Sequence, residues 1–269
     1  MSEEKEAYRV DFQDNILTLT FDRPPGNSIP TQAVPKLTEL VENINKRPEV
    51  RAVLIRGEGP NFSVGGDVKG FHEQLTTQPM DAITADFDAR LGRLAKYVAA
   101  FVRIEAPIVT ACQGGSAGAG LMYVLGADVV IADESAFFLF AHQRIGLTPD
   151  GGVSYLLPRV VGARRATELV ITAAKVDVAE AHRIGIVSRI VPADQREAEA
   201  RKQAQRFAQA PQGALRRGKS LMAGSLDLSM EDQLQSERRN IVASVADPDF
   251  AEGVTAFMEK RAARFPSTR

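Results

Sequence analysis

Several residue types are scarce in this 269-residue sequence, which has no tryptophan, one cysteine and three histidines. A lone cysteine, Cys112, cannot close a disulfide within the chain, and so few cysteines and histidines disfavour a metal site. Basic and acidic residues number 33 and 34, so there is no charge excess of the kind that attracts nucleic acid. No apolar run is long enough to span a bilayer, and the first ten residues lack an apolar signal segment. We therefore expect a cytoplasmic protein with no metal, nucleic-acid partner or membrane contact.

Hydrophobic residues make up 44% of the chain, enough for a sizeable core, and their spacing predicts both strands and helices. Short apolar runs predict strands at residues 8–12, 16–21 and 51–56. Helical spacing covers residues 31–46, and the chain from residue 193 onward is mostly helical. The predicted class is α/β with a helical C-terminal region.

Two neighbouring segments are predicted to differ in order. Residues 70–80 show no clear period, which predicts a flexible flap. Residues 81–104 form a long helix whose apolar side chains recur at helical spacing and are expected to pack in the core. The apolar positions of this helix are Ile83, Phe87, Leu91, Leu94, Val98 and Phe101.

Two glycine-rich turns, within residues 57–71 and 114–120, each follow a predicted strand. Where a strand is followed by a glycine turn and the start of a helix, backbone N–H groups point outward from the N-terminus of the helix, which is the positive end of its dipole. Such donors can hold a phosphate or an enolate oxygen, and two turns of this kind can direct two donors at one oxygen. The alternative interpretation is that the glycines only permit close packing.

Four segments resemble signatures of the crotonase (enoyl-CoA hydratase/isomerase) superfamily, in the same order and at similar spacing. The two glycine turns carry NFSVGGDVK at residues 61–69 and PIVTACQGGSAGAGLMYVLGAD at residues 107–128. The other two are GLTPDGGVSYLLPR at residues 146–159, typical of the isomerase-like branch, and FMEKRAARF at residues 257–265. The resemblance covers nearly the whole chain.

The resemblance implies a crotonase-like spiral of ββα units over residues 1–200 and a helical C-terminal oligomerisation region over residues 201–269. Members of this superfamily assemble as homotrimers, often paired into hexamers, so the same is expected here. Their substrates are acyl-CoA thioesters, and the coenzyme A belongs to the substrate. No further cofactor is expected.

By position, the resemblance assigns the backbone N–H groups that hold the thioester oxygen to Gly66 and Ala119. It assigns contacts with coenzyme A to six residues, two of which reach it across a subunit boundary in many members of the superfamily. These six are Gly66, Asp67, Val68, Lys69, Phe257 and Lys260. For the two lysines, the alternative is an ordinary solvated side chain. For Asp67, the residue pattern also predicts that the carboxylate holds its turn through backbone hydrogen bonds.

The sequence departs from the superfamily at the two glutamates that hydratases use to activate water and to protonate the substrate. Met122 stands at the first position and His142 at the second. Asp150 then becomes the leading acid/base candidate, because isomerase-like members carry a functional aspartate there. Its alternative role is to cap the helix predicted from residue 153. His142 is a second catalytic candidate, with a buried structural histidine as the alternative.

The function favoured by these residues is isomerisation of an enoyl-CoA, which moves a carbon–carbon double bond through an enolate. An enoyl-CoA hydratase with non-standard acid/base residues is the first alternative. Dehalogenation in this superfamily also uses a histidine on the long helix before the second signature, and residues 81–104 contain none. A non-catalytic protein with the same fold is the remaining alternative.

Overall fold

The computed structural model describes residues 7–268, which form nine β-strands and eleven α-helices. The strands are β1 (Tyr8–Gln13), β2 (Ile16–Phe21), β3 (Ala52–Gly57), β4 (Ile108–Cys112), β5 (Gly115–Ala117), β6 (Val129–Asp133), β7 (Phe137–Leu139), β8 (Lys175–Asp177) and β9 (Arg189–Val191). The helices are α1 (Val34–Ile44), α2 (Val68–Thr77), α3 (Met80–Phe101), α4 (Leu121–Leu125), α5 (Val153–Val161), α6 (Ala163–Ile171), α7 (Val178–Arg183), α8 (Arg196–Ala208), α9 (Gln212–Gly224), α10 (Met230–Val245) and α11 (Pro248–Met258).

Six strands form the main sheet, in the order β1-β2-β3-β4-β6-β9. Only the β1–β2 hairpin is antiparallel; every other neighbouring pair in this sheet is parallel. A second sheet of three short strands has the order β5-β7-β8. The predicted α/β class is therefore confirmed.

Both faces of the main sheet are covered, which explains why β2, β3 and β4 are almost wholly buried. One face packs against α1, α3 and α4 around a large cluster of aliphatic and aromatic side chains. On the other face, Ala200, Ala204 and Ala208 of α8 meet Leu54 and Val109. Cys112, at the end of β4, is fully buried, and burial raises the pKa of its thiol to about 12.

The prediction of a flexible flap over residues 70–80 is wrong, because residues 68–77 form helix α2. None of its residues is buried, so it lacks the apolar stripe that marks a helix in a sequence. Its order comes instead from capping by Asp67 and from two contacts with α3. Phe71 stacks on Phe87 at 4.9 Å between ring centroids, and Gln74 Nε2 donates to Asp86 Oδ2 over 2.8 Å.

Helices α9, α10 and α11 follow the core and contact one another more than they contact the sheet. Among residues 7–268, α10 has no buried residue and α9 and α11 have three between them: Gln212, Asp249 and Ala256. The division expected near residue 200 falls inside α8, which packs beneath the sheet. The two-part organisation of the chain stays a prediction.

Candidate active site

The two glycine turns leave the same edge of the main sheet, because β3 and β4 are neighbouring parallel strands. Ligands of open parallel sheets bind at this carboxyl edge. Beyond the sheet the turns pair with each other at Ser63 and Ser116. The Ser63 N–H donates to Gly115 O over 3.2 Å, and Ser63 O accepts from the Ala117 N–H over 2.9 Å. The first turn is thereby fixed against the second.

Gly65 shows why this pairing requires glycine. Its φ is +81°, and a Cβ atom there would lie 2.7 Å from Ala117 O and 2.9 Å from Ala119 N. Close packing of the two turns, the alternative interpretation of the glycines, is therefore part of how the site is built. It does not compete with a role for the backbone N–H groups.

Asn27 holds the first glycine turn in place through hydrogen bonds, a role that was not predicted from the sequence. Its side chain is buried, and Nδ2 donates to Glu58 O and Asn61 O, each over 2.8 Å. The backbone carbonyl of Asn27 accepts a hydrogen bond from Ser63 Oγ over 3.0 Å. Because the partners are backbone atoms at a sequence distance of more than thirty residues, no local pattern announces them.

The backbone of Gly66 and Ala119 borders a cavity of about 880 Å³ beside the paired turns. Ala119 is the second residue of a 3₁₀ helix, Gly118–Gly120, and the first N–H groups of a helix have no partner within it. Gly66 directly precedes Asp67, the N-cap of α2. Two helix starts thus face one cavity.

The backbone hydrogen bonding predicted for the Asp67 carboxylate is found, and the carboxylate caps helix α2, which the sequence did not predict. Its Oδ1 accepts a hydrogen bond from the Gly70 N–H over 3.1 Å. Asp67 also borders the cavity, whereas Val68 and Lys69 are exposed and lie outside its lining. The cap fixes the direction of the Gly66–Asp67 backbone beside the cavity.

Asp150 also borders the cavity, and the loop that carries it rests on Ala119. The next residue, Gly151, has a φ of +58°, and a Cβ there would lie 3.1 Å from Ala119 Cα. The N-cap of α5 is Gly152 and no side chain caps this helix, so the helix-cap alternative for Asp150 is wrong. Its carboxylate remains available to the cavity.

His142 does not line the cavity but lies behind Asp150. Its Nε2 is 3.3 Å from Asp150 Oδ1, and its side chain is 9% exposed against 36% for Asp150. A 3₁₀ turn, His142–Ile145, ends at Gly146 with a φ of +72°. At Gly146 the chain reverses direction, and the Leu147 N–H donates to His142 O over 3.1 Å. The chain therefore runs back toward the histidine.

Met122 is buried and contributes apolar surface to the cavity, where hydratases of the resemblance carry a carboxylate. Three residues expected in the core, Phe87, Leu91 and Leu94 of α3, also line the cavity. The helix is confirmed, but core packing is wrong for Leu91, which is 41% exposed on the cavity wall. Periodicity reports which face of a helix is covered and not what covers it.

Phe257 and Lys260 lie away from this cavity, at the end of α11. The Phe257 side chain is 82% exposed, and Lys260 is exposed with a φ of +54°. Phe257 instead borders a second, smaller cavity of about 390 Å³ between α9 and α11. Within one chain, the structure therefore does not bring these two residues to Gly66 and Ala119.

Neither a metal cluster nor a membrane span is found within residues 7–268. No group of three or more His, Cys, Asp and Glu side chains there is arranged to hold a metal ion. Each helix of that region is too short or too polar to cross a bilayer.

The sequence of residues 11–268 matches the family model of enoyl-CoA hydratase/isomerase. The chain belongs to the enoyl-CoA hydratase/isomerase family. This confirms the resemblance and the crotonase-like fold class predicted from the four signatures.

Relatives in this family bear different activities in their names. A protein of Mycobacterium tuberculosis named probable enoyl-CoA hydratase is 33% identical over 261 residues, 97% of this chain and 98% of the relative. The 1,2-epoxyphenylacetyl-CoA isomerase of Escherichia coli is 30% identical over 257 residues, 94% of this chain and 95% of the relative. A crystal structure from Streptomyces coelicolor, assigned to the enoyl-CoA hydratases, has a TM-score of 0.90 and 31% identity, covering 100% of this chain and 97% of that one.

Proposed function

We propose that this family member isomerises an enoyl-CoA thioester, moving a carbon–carbon double bond through an enolate. One observation carries the proposal: Asp150 borders the same cavity as Gly66 and Ala119. Met122 and His142 stand where the two hydratase glutamates are expected.

Asp67 and Asp86 also border the cavity, but Asp67 caps α2 and Asp86 is paired with Arg90. Asp150 is therefore the carboxylate that we propose moves a proton.

The N–H groups of Gly66 and Ala119 are proposed to donate to the thioester oxygen. Negative charge grows on that oxygen as the enolate forms, and donors fixed in advance stabilise charge most where it develops. Removal of one such donor typically costs about 2.7–4 kcal/mol of transition-state stabilisation. The Ser63–Ser116 pairing and the φ of +81° at Gly65 support fixed positions for both donors.

Asp150 is proposed to act first as base and then as acid. For a 3-enoyl thioester, its carboxylate removes a proton from C2, and the electron pair spreads over the thioester oxygen, C2 and C4. The protonated carboxyl, which exchanges its O–H proton with solvent, then delivers a proton to C4, and the double bond is left between C2 and C3. The reaction consumes no water and needs no second reactant.

His142 is proposed as a positioning residue for Asp150. Its ring does not line the cavity, and its Nε2 contacts Oδ1 of Asp150, which does. A ring N–H that donates to Oδ1 would hold the carboxylate in one rotamer and leave Oδ2 directed toward the substrate. Orientation of this kind lowers the cost of reaching the reactive geometry.

Coenzyme A is proposed to lie along Gly66, Asp67, Val68 and Lys69, with Phe257 and Lys260 completing the site from a neighbouring subunit. Both tail residues are exposed and remote from the cavity of their own chain. A homotrimer or a hexamer is therefore part of the proposal. Helices α9, α10 and α11 offer the surface for it, since many of their apolar side chains are exposed.

Hydration is the second candidate, favoured by the contact between His142 and Asp150. A histidine–carboxylate pair can activate a water molecule in place of a glutamate. The two reactions separate in heavy water with a panel of 2-enoyl and 3-enoyl thioesters. The proposal expects migration of the double bond with deuterium incorporated at carbon. Formation of a 3-hydroxyacyl product without migration favours hydration, and binding without turnover favours a non-catalytic protein.

A further inference from the structure

Helix α3 presents a polar stripe to the cavity beside its apolar one. Asp86, Arg90, Arg93 and Tyr97 follow one another at intervals of four, three and four residues, and all four line the cavity. This spacing places them on one face of the helix, over about 16 Å of its length. Such a stripe is costly to cover with a hydrocarbon chain alone. The phosphates of coenzyme A are the other anions proposed to enter this cavity, and they are common to every thioester compared in the test below.

The first half of the stripe is neutralised internally. Asp86 forms an ion pair with Arg90 and accepts a hydrogen bond from Gln74 Nε2 over 2.8 Å. These two contacts, the hydrogen bond from Gln74 foremost, hold the pKa of the Asp86 carboxyl below its usual value. Arg90 also lies over the Phe87 ring, 5.6 Å from its centroid. The charges of Asp86 and Arg90 therefore cancel at the cavity wall.

Arg93 is the surplus cation of the stripe. Its side chain is half-buried and close enough to Asp86 for its charge to help lower the pKa of that carboxyl. The carboxylate of Asp86 is already paired with Arg90, so the stripe keeps one positive charge in excess. Guanidinium groups that are partly withdrawn from water are usually paired. A half-buried arginine on a cavity wall, in a stripe with one positive charge in excess, indicates that the balancing anion comes with the ligand.

Tyr97, one turn further along, adds a hydroxyl group to the same face. Its side chain is 1% exposed and shares a hydrogen bond of 2.9 Å with Tyr123, which also lines the cavity. Each phenol has one O–H proton, and the hydrogen bond between the two uses one of them. Whichever tyrosine donates, the O–H proton of the other is free to bind a ligand. The cationic guanidinium and the spare phenol proton together favour an oxygen anion.

From this stripe we infer that the acyl group of the substrate ends in a carboxylate, bound by Arg93 with help from Tyr97. The substrate class is the mono-CoA thioester of an unsaturated dicarboxylic acid. The inference rests on the proposed function for the place of the thioester beside Gly66 and Ala119. Its test uses saturated thioesters, which bind but carry no double bond to move, so binding is measured apart from the role of Asp150.

The experiment compares binding, by titration calorimetry, of succinyl-, glutaryl- and adipyl-CoA with their methyl-ended counterparts of equal chain length. The intact protein should bind at least one carboxylate-ended thioester about tenfold or more tightly than its counterpart, as a charged hydrogen bond provides. Arg93→Gln should abolish the preference without weakening the methyl-ended thioester. Arg93→Lys, which retains the charge, should keep part of it. Arg103→Gln removes an exposed guanidinium just beyond α3 and should change nothing.

The inference would be overturned if the intact protein bound carboxylate-ended and methyl-ended thioesters equally. It would also be overturned if Arg93→Gln kept the preference for the carboxylate-ended thioester. Isomerase activity alongside equal binding would contradict the inference alone and leave the proposed function intact. Failure to bind any of these thioesters would contradict both.

Discussion

His142 lies directly behind Asp150, with 3.3 Å between Nε2 and Oδ1. The imidazole is nearly buried, while the carboxylate in front of it borders the cavity. A buried ring behind an accessible carboxylate is an arrangement that orients the carboxylate. The two residues are eight positions apart, and the left-handed turn at Gly146 lies between them. Substitution of His142 tests whether this contact orients Asp150.

His142→Leu should lower kcat for isomerisation, because Asp150 loses the group that fixes its rotamer. The loss should be smaller than the roughly 10²–10⁴-fold effect of removing an acid/base group. His142→Gln, which can still donate to Oδ1, should restore part of it. KM should stay unchanged in both, since the ring does not line the cavity. A rise in KM at constant kcat would instead assign His142 to substrate binding.

Ala119→Pro should abolish turnover, because proline has no N–H to donate to the thioester oxygen. Proline is tolerated in the first turn of a helix, and Ala119 is the second residue of its 3₁₀ helix. The matched variant Ala119→Gly keeps the N–H and should retain most activity. Steady-state rates are compared after circular dichroism has confirmed folding. A folded, active proline variant would show that Ala119 is not a donor.

Gly65→Ala should reduce both stability and activity. A Cβ there meets Ala117 O at 2.7 Å, and the φ of +81° is strained for alanine, at a cost of about 1–3 kcal/mol. Gly92→Ala is the control, since a Cβ there meets nothing within 4 Å and the residue lies inside α3. It should stabilise the protein by about 0.5–1 kcal/mol. Urea unfolding measures both, and equal stabilities would contradict the close pairing of the turns.

The chain should assemble into trimers or hexamers, so light scattering at micromolar concentration should give three or six times the mass of one chain. Exposed apolar side chains on α9–α11 provide the driving force. Ile241→Lys, at a residue 63% exposed on α10, should weaken assembly, whereas Ile171→Lys, at a residue 64% exposed on α6, should not. A monomer at this concentration would contradict the proposed site across subunits.

Local patterns predicted much of the fold from the sequence. Apolar runs marked β2 and β3, and helical spacing marked α1 and α3, because each of these elements buries one face or more. Helix α2 was missed for the complementary reason: no residue in it is buried. The ion pair of Asp133 with Arg196 joins the sheet to α8 across 63 positions, and no local pattern contains it.

The candidate site was predicted in part. Gly66, Asp67, Ala119 and Asp150 do border one cavity, as their signatures implied. His142 contacts Asp150, and Asn27 binds the backbone of the first glycine turn. Both contacts depend on distances in the folded protein, which the spacing of residues along the sequence does not provide. Phe257 and Lys260 could not be placed for another reason. Their proposed partners lie on a second subunit, so neither the sequence nor one folded chain brings them to the site.

Exchange of substrate protons in heavy water by the Asp150→Asn variant shows whether the carboxylate of Asp150 moves the proton. Asparagine keeps the size of the side chain but cannot accept a proton as a carboxylate does, and no helix cap is lost, because Gly152 is the N-cap of α5. We expect a folded variant that still binds CoA thioesters, loses turnover by roughly two to four orders of magnitude and incorporates no deuterium at the substrate carbons. Exchange and turnover at the rate of the unsubstituted protein would contradict it.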